Sequence, residues 1–220
     1  MELFFDNLID PEHQFAEELE DSVECSFKLH NNDIIIQQTT VSGSIGSSIW
    51  PASNLFLDYL NKLPKDYFTD KKVLELGSGV GILSISVSLM GAAEVIATDI
   101  PYITKWTMHN VQLNQAERVR VCPLIWGDNA TASSLVEGSL DYLIAADVVY
   151  SPESVPDLLS TVHLLIKNTN CKVIFALKWR ANDTNECFWS HIEHFGLSVD
   201  EIDSQNDGSI SLLSINVKEV

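Results

Sequence analysis

The sequence contains few basic residues, and this shortage limits the partners that the protein can have. Its 220 residues include 13 Lys and Arg against 31 Asp and Glu, which gives a formal net charge of −18. A protein that binds nucleic acid carries a basic surface that neutralises phosphates, and no basic stretch occurs along this chain. We therefore expect no nucleic-acid partner. The charge suits a basic protein or peptide partner, although acidity that serves only solubility explains it equally well.

Long apolar runs and clustered cysteines are also missing. No apolar run reaches the ~18 residues that a membrane helix needs, and the opening MELFFDNLIDPEHQ is too acidic for a signal peptide. We expect a soluble, intracellular protein with no membrane partner, located in the cytoplasm, with the nucleus left open as a second location. Cys25, Cys122, Cys171 and Cys187 lack the spacing of metal ligands, so the sequence predicts free thiols and no metal site.

From Lys71 onward, segments typical of strands and helices alternate. This order predicts an α/β fold with a largely parallel sheet. The predicted strands of this region are KVLELG, EVIATD, RVRVCPLIW, LDYLIAADVVY and CKVIFALKW. The end of the chain differs, because LSVDEI and SISLLSINVKE are separated by the turn DSQNDG and predict an antiparallel pair.

The residues before this alternating region predict an extension of different character. An acidic arm leads into CSFKLHNNDIIIQQT, which predicts a short β-hairpin around His30 to Asp33, and then into the flexible Gly/Ser loop VSGSIGSS. Pro51 is placed to begin the first helix of the main region. We therefore divide the chain into an N-terminal extension, 1–48, and a main domain, 49–220.

Three glycines follow the first strand of the main region, in VLELGSGVGILSI. In open α/β sheets the loop after this strand lies where ligands bind. The spacing is Gly77-x-Gly79-x-Gly81, and it lacks the third glycine of G-x-G-x-x-G, which disfavours NAD. Asp99 closes the second strand and can accept hydrogen bonds from a ribose diol. Taken alone, the glycines could be required by the steric limits of a tight turn, and Asp99 could cap a helix. Taken together, they favour a cofactor that contains ribose.

Four motifs indicate the class of this cofactor. ELGSGVG, TDI, LIWGD and ADVVY, in this order and spacing, resemble the class I, seven-β-strand, S-adenosylmethionine-dependent methyltransferases. Within that class the sequence is most similar to the methyltransferase-like 21 group of non-histone protein-lysine methyltransferases. The resemblance runs from about Ile49 to the C-terminus. It implies a Rossmann-like seven-strand sheet, mostly parallel with a C-terminal antiparallel hairpin, and S-adenosyl-L-methionine as the cofactor.

The resemblance also implies which residues hold the cofactor. They are Trp50, Glu75, Gly77, Ser78, Gly79, Gly81, Asp99, Trp126 and Ala146. Trp126 suits stacking on adenine, because a flat apolar ring favours an aromatic wall, and the small Ala146 lets the main chain approach the cofactor. Trp50 could instead be plain core packing. Asp128 could accept a hydrogen bond from an amino group or be only a turn residue.

The segment Asp147-Val148-Val149-Tyr150 follows the fourth strand and by resemblance binds the substrate amine. A lysine must lose its proton before it can attack a methyl group, and its ordinary pKa is ~10.4. An apolar channel lowers that pKa, whereas a nearby carboxylate raises it. We expect Asp147 to orient the amine and Tyr150 to form the channel wall, both as catalytic residues. The alternative is that Asp147 caps the helix that begins near Pro152.

Two features of the sequence bear on the acceptor. Methyltransferases that act on amides or nucleobases typically carry an Asn-Pro-Pro-aromatic motif where this chain has DVVY, so both substrates are disfavoured. Pro51 replaces an acidic residue frequent in the lysine group, and WPA resembles the methyltransferase-like 23 type, for which the implied acceptor is arginine.

The sequence thus predicts a monomeric protein N-methyltransferase that acts on lysine in a protein with a basic surface. A protein-arginine or small-molecule methyltransferase stays open, as does a non-catalytic cofactor-binding module. The identity of the substrate protein also stays open.

Overall fold

A central β-sheet with helices on both faces organises the chain. The computed structural model describes residues 11–39, 45–136, 138–167, 169–180, 182–205 and 208–218. The helices are α1 Pro11–Glu20, α2 Pro51–Lys62, α3 Ile82–Leu89, α4 Thr104–Leu113, α5 Asn129–Leu135, α6 Val155–Ile166 and α7 Asn182–His194. The strands are β1 Val23–Leu29, β2 Asn32–Gln38, β3 Lys72–Leu76, β4 Glu94–Asp99, β5 Val119–Pro123, β6 Tyr142–Ala146, β7 Lys172–Lys178, β8 Leu197–Gln205 and β9 Ile210–Val217.

The main sheet has seven strands in the order β5-β4-β3-β6-β7-β9-β8. Strands β3 to β7 pair in parallel, whereas β9 is antiparallel to both β7 and β8. The predicted fold class is therefore confirmed. The strand order reverses between β3 and β6, because β4 lies on one side of β3 and β6 on the other. In such a sheet this reversal opens a crevice at the carboxyl ends of the strands.

Apolar residues on both faces of the central strands explain why the sheet lies between two layers of helices. In β3, for example, Val73, Leu74 and Leu76 are all fully buried. Val73 belongs to the core cluster beneath α2 and α3, whereas Leu74 and Leu76 belong to the cluster beneath α6 and α7. Such two-sided burial is typical of parallel strands. Among the residues that the structure describes, no helix is long and apolar enough to cross a membrane.

Two predicted strands end earlier than the sequence suggested. The third main-sheet strand ends at Pro123 and the fourth at Ala146, because the residues after them turn towards the crevice. Asp147 already has a left-handed main chain, with φ of +58°. The helix α5 was not predicted, since NATASSL has little apolar periodicity. Asp128 caps it by accepting the N–H of Thr131 at 3.1 Å.

The N-terminal β-hairpin is confirmed and packs onto the main sheet's helices. Its side chains Leu29, Ile34 and Ile36 are fully buried in the same cluster as α2 and α3. From α4, the Asn110 side chain accepts the N–H of Gln37 at 2.8 Å and donates to the carbonyl of Gln37 at 2.9 Å. The division of the chain into 1–48 and 49–220 stays a prediction. Thr40 and residues 41–44 of the Gly/Ser loop lie outside the described residues.

The fully buried Asn110 also donates to the Val80 carbonyl at 3.0 Å, so it links the hairpin, α4 and the loop before α3. We expect Asn110→Ala to lower the free energy of unfolding by about 2–4 kcal/mol, because it leaves buried main-chain groups without partners. Urea unfolding measures this change. Gln112→Ala, at an exposed amide of the same helix, is the control. Equal stability of both variants would contradict the role of Asn110.

Candidate active site

A cavity of about 630 Å³ opens at the carboxyl ends of β3, β4 and β6. Every site residue predicted from the sequence lines it except Gly81: Trp50, Glu75, Gly77, Ser78, Gly79, Asp99, Trp126, Ala146, Asp147 and Tyr150. Gly81 precedes α3 and forms its N-cap. The fold therefore brings the predicted residues together, while their individual roles stay predictions.

The glycine loop between β3 and α3 has a shape that side chains would disturb. Gly77, Gly79 and Gly81 have φ values of +67°, +53° and +87°. A Cβ atom on Gly77 would lie 2.7 Å from Cγ1 of Val148, and one on Gly79 would lie 3.0 Å from the carbonyl oxygen of Gly46. Glycine avoids both the strain of a positive φ and these contacts. The loop thus forms a wall of exposed main chain along the cavity.

Asp99 fixes this loop to the end of β4. Its Oδ2 accepts the N–H of Gly79 at 2.8 Å and its Oδ1 accepts the N–H of Ile100 at 2.7 Å. Burial raises the pKa of Asp99 to about 6, although the hydrogen bonds from the two N–H groups lower it. Each carboxylate oxygen has a second lone pair, so a diol can still donate to Asp99.

Glu75 lies deeper, at the end of β3, and is 2 % exposed. The Ser84 hydroxyl of α3 donates to its Oε2. Burial raises the pKa of Glu75 to about 8, although the bonds from Ser84 lower it. Its carboxyl group therefore carries a proton at neutral pH in the folded protein.

Aromatic rings line the upper part of the cavity. The rings of Trp126 and Tyr150 lie 6.1 Å apart and are tilted by 45°. Trp50 is 37 % exposed and its indole N–H donates to the Ile45 carbonyl at 2.9 Å, so it is not a core residue. These rings provide the flat apolar surfaces that an adenine and an alkyl chain require. Asp128 caps α5 and is not among the lining residues.

Asp147 is held by a residue that sequence reasoning missed. Its Oδ1 accepts from Nη2 of Arg180 at 2.8 Å, and the Asp147 side chain is only 2 % exposed. The Arg180 guanidinium also lies over the ring of Trp50, 5.8 Å from its centre. Asp147 does not cap α6, which begins at Val155. The only signal for Arg180 was a basic residue just after a predicted strand in a strongly acidic chain.

Other cavity residues come from segments whose position the sequence did not reveal. Gln14 and Glu18 of α1 line the cavity, and so does Asp157 in the first turn of α6. The helix α1 is held there by Phe15, whose ring meets that of Trp106 edge-on at 5.2 Å. The acidic arm therefore supplies part of the site.

This arrangement fits a nucleoside cofactor. The partly buried acid Asp99 suits a ribose diol, the wall beside Trp126 suits a base, and the bare main chain of the glycine loop allows close approach. The open end, with Asp147 and Tyr150, suits a second reactant that carries a hydrogen-bond donor.

A solved structure shares this fold. The 16S rRNA N2 G1207 methyltransferase of T. thermophilus, in complex with AdoMet and guanosine, superimposes with a TM-score of 0.62 at 13 % identity. The match covers 90 % of this chain and 51 % of that one. At this identity the likeness shows the fold alone. The chain thus has the Rossmann-like fold of the class I methyltransferases.

The sequence comparisons give the family. The sequence model described as Lysine methyltransferase matches residues 28–195, and the chain belongs to this family. It is 34 % identical over 160 residues to protein-lysine methyltransferase METTL21E of Mus musculus, covering 69 % of this chain and 64 % of the relative. It is 31 % identical over 180 residues to EEF1A lysine methyltransferase 3 of Mus musculus, and the match covers 80 % of this chain and 74 % of the relative.

Family membership confirms the predicted resemblance to the methyltransferase-like 21 group and S-adenosylmethionine as the cofactor. The matched part spans 56 to 64 % of the METTL21E relatives from mouse, human and cattle.

The glycine loop gives a test of the cavity. Gly77→Ala should lower the affinity for S-adenosylhomocysteine roughly tenfold or more, because the new methyl group displaces Val148 and Trp126. Isothermal titration calorimetry measures this affinity. The matched control is Gly138→Ala, which also has a positive φ but meets no atom within 4 Å. Equal affinities of both variants would contradict the assignment.

Glu75 gives a second test. Between pH 4.5 and about 8 the folded protein holds a proton on Glu75 that the unfolded chain releases, so this residue makes stability fall as pH rises. Glu75→Gln cannot titrate. From pH 5 to 8 its free energy of unfolding should therefore gain about 3 to 4 kcal/mol relative to wild type. Urea unfolding across this range, with Glu117→Gln as an exposed control, checks the prediction. A difference that does not change with pH would contradict it.

Proposed function

We propose that this protein transfers a methyl group from S-adenosylmethionine to lysine side chains of a partner protein. The observation that carries the proposal is the position of Asp147. Its carboxylate lines the cofactor cavity beside Tyr150, and its buried Oδ2 has no hydrogen-bond partner among the described residues. A buried oxygen without a partner is costly, so it suits a donor that arrives with the substrate. Membership of the lysine methyltransferase family supports the choice of acceptor.

When bound, S-adenosylmethionine supplies an electrophilic methyl group on its sulfonium. The task of the chain is to hold the two reactants in line. Asp99 and the main chain of the glycine loop would hold the nucleoside, and Trp126 would cover the base. Asp147 accepts a hydrogen bond from the incoming amine and thereby fixes its direction, while Tyr150 forms the wall of the channel.

The amine must also arrive without its proton. Tyr150 and Trp126 both line the cavity, Trp126 half-buried and Tyr150 46 % exposed, so a lysine side chain that enters between their rings covers ring surface and loses much of its hydration. Desolvation disfavours an ammonium and lowers its pKa, which releases the proton to water. Asp147 then retains one of the remaining amine hydrogens in a hydrogen bond.

We further propose that the partner protein presents a basic surface. The net charge of −18 supports this, as does Glu18 of α1 at the cavity wall. A chain of this charge attracts positively charged partners over distances of about 10 Å, which raises the rate of encounter.

The experiment is to incubate the purified protein with radiolabelled S-adenosylmethionine and a host-cell extract, followed by gel separation and amino-acid analysis. A discrete protein band that contains methyl-lysine is the expected result. Methyl-arginine in that band would replace lysine by arginine as the acceptor. Label only in small molecules would indicate a metabolite substrate. No label despite measured cofactor binding would indicate a non-catalytic module.

Asp147→Ala should reduce methyl transfer roughly 100-fold or more, because the amine loses the group that directs it. The affinity for S-adenosylhomocysteine should stay within a few fold, since this product carries no group that Asp147 must bind. Labelling rates and calorimetry measure the two quantities. Asp128→Ala removes a carboxylate that caps α5 outside the cavity and is the control. Undiminished transfer by Asp147→Ala would overturn the proposed role.

A further inference from the structure

The ion pair between Asp147 and Arg180 lies at the end of the cavity where the amine is proposed to enter. Arg180 follows β7, the neighbour of β6 in the sheet, so the two residues approach from adjacent strand ends. The main chain supports this geometry. The N–H of Asp147 donates to the Ala176 carbonyl of β7 at 2.8 Å, and the N–H of Arg180 donates to Oδ1 of Asn185 at 3.1 Å.

The pair is arranged so that only one of its members faces the cavity. Asp147 lines the cavity and Arg180 is not among the lining residues. Arg180 therefore supports Asp147 from behind and does not fill the acceptor site. The guanidinium is held against Trp50, and its contact with the carboxylate uses Oδ1 alone. The second oxygen, Oδ2, is left without a partner among the residues that the structure describes.

Apart from Arg180, the charged side chains around the cavity are acidic. None of the described residues that line the cavity is Lys, Arg or His. Besides Asp147, the titratable groups that face it are Glu18, Glu75, Asp99, Tyr102, Tyr150 and Asp157, and Asp183 follows Arg180 in the sequence, in the first turn of α7. Burial raises the pKa values of Glu75 and Asp99, so these two acids carry less negative charge than exposed ones.

We infer that Arg180 is a positioning residue for methyl transfer. It orients Asp147 through Oδ1 and compensates part of the negative charge that the acceptor amine would otherwise meet. The inference rests on the proposed role of Asp147. It also resolves the conflict between attracting an ammonium and deprotonating it. A carboxylate alone would hold the amine in its protonated form, whereas a carboxylate paired with a guanidinium accepts a hydrogen bond and raises the pKa of the amine much less.

A cofactor analogue can test this inference before any substrate is known. In sinefungin an amine-bearing carbon replaces the methylated sulfonium, so its amine reports the charge at the transfer position. S-adenosylhomocysteine has the same nucleoside and amino-acid parts without that amine. The ratio of their two dissociation constants, measured by calorimetry from pH 6 to 10, isolates the effect of the amine in each variant.

Arg180→Gln should raise the preference for sinefungin roughly tenfold at neutral pH, because the amine then faces an uncompensated carboxylate. The pH at which the preference is lost should rise by about one unit. Arg180→Lys keeps the charge and should behave like wild type. Arg118→Gln removes an equal charge outside the cavity and should also leave the ratio unchanged. Arg180→Met provides a second neutral variant if Arg180→Gln does not fold.

Asp147→Asn separates this inference from the proposed function. If it lowers the preference for sinefungin while Arg180→Gln and Arg180→Met leave the ratio and its pH dependence as in wild type, Arg180 has no positioning role and the inference is overturned. If Asp147→Asn leaves the ratio unchanged, the amine does not meet Asp147, and both the proposed function of Asp147 and the inference are overturned. A lower preference in Arg180→Gln would likewise overturn the inference.

Discussion

The hydrogen bond from the N–H of Gly79 to the carboxylate of Asp99 is the contact on which the site depends. It joins the loop after β3 to the end of β4, at the point where the sheet reverses its strand order. With the loop fixed there, Gly77 lies against Val148 and Trp126. The partly buried Asp99 therefore helps to position the loop that forms one wall of the cavity.

Two buried carboxyl groups, Glu75 and Asp147, and the partly buried Asp99 line this cavity, and each is stabilised in a different way. Glu75 is protonated at neutral pH and receives the Ser84 hydroxyl. Asp99 is met by two main-chain N–H groups, and Asp147 by a guanidinium. A buried charge requires such compensation. The choice of compensation fixes what each group offers to a ligand: a neutral carboxyl, an acceptor for hydroxyls, and an acceptor whose charge is largely balanced.

The sequence predicted the centre of this fold better than its margins. The strand Glu94–Asp99 was located to the residue, because apolar residues on both faces and a terminal acid mark it. The helix α5 was missed, since its NATASSL segment has little apolar pattern and is begun by the Asp128 cap. Among the site residues, those of the glycine loop, Asp99 and the DVVY segment belong to short sequence motifs that can be recognised locally. Arg180 carries none, because its partner is 33 positions away and only the pairing of β6 with β7 brings them together.

The position of β9 between β7 and β8 has a consequence for how the chain is made. Because β8 precedes β9 in sequence but lies outside it in the sheet, β8 has no neighbouring strand until β9 has left the ribosome. During synthesis the edge of β7 is exposed for the same interval, next to the residues that carry Arg180. The strand that closes the sheet also supplies Ser211, whose hydroxyl receives the indole N–H of Trp179 at 3.0 Å. The residues next to Arg180 therefore gain their last neighbours only when β9 pairs with β7.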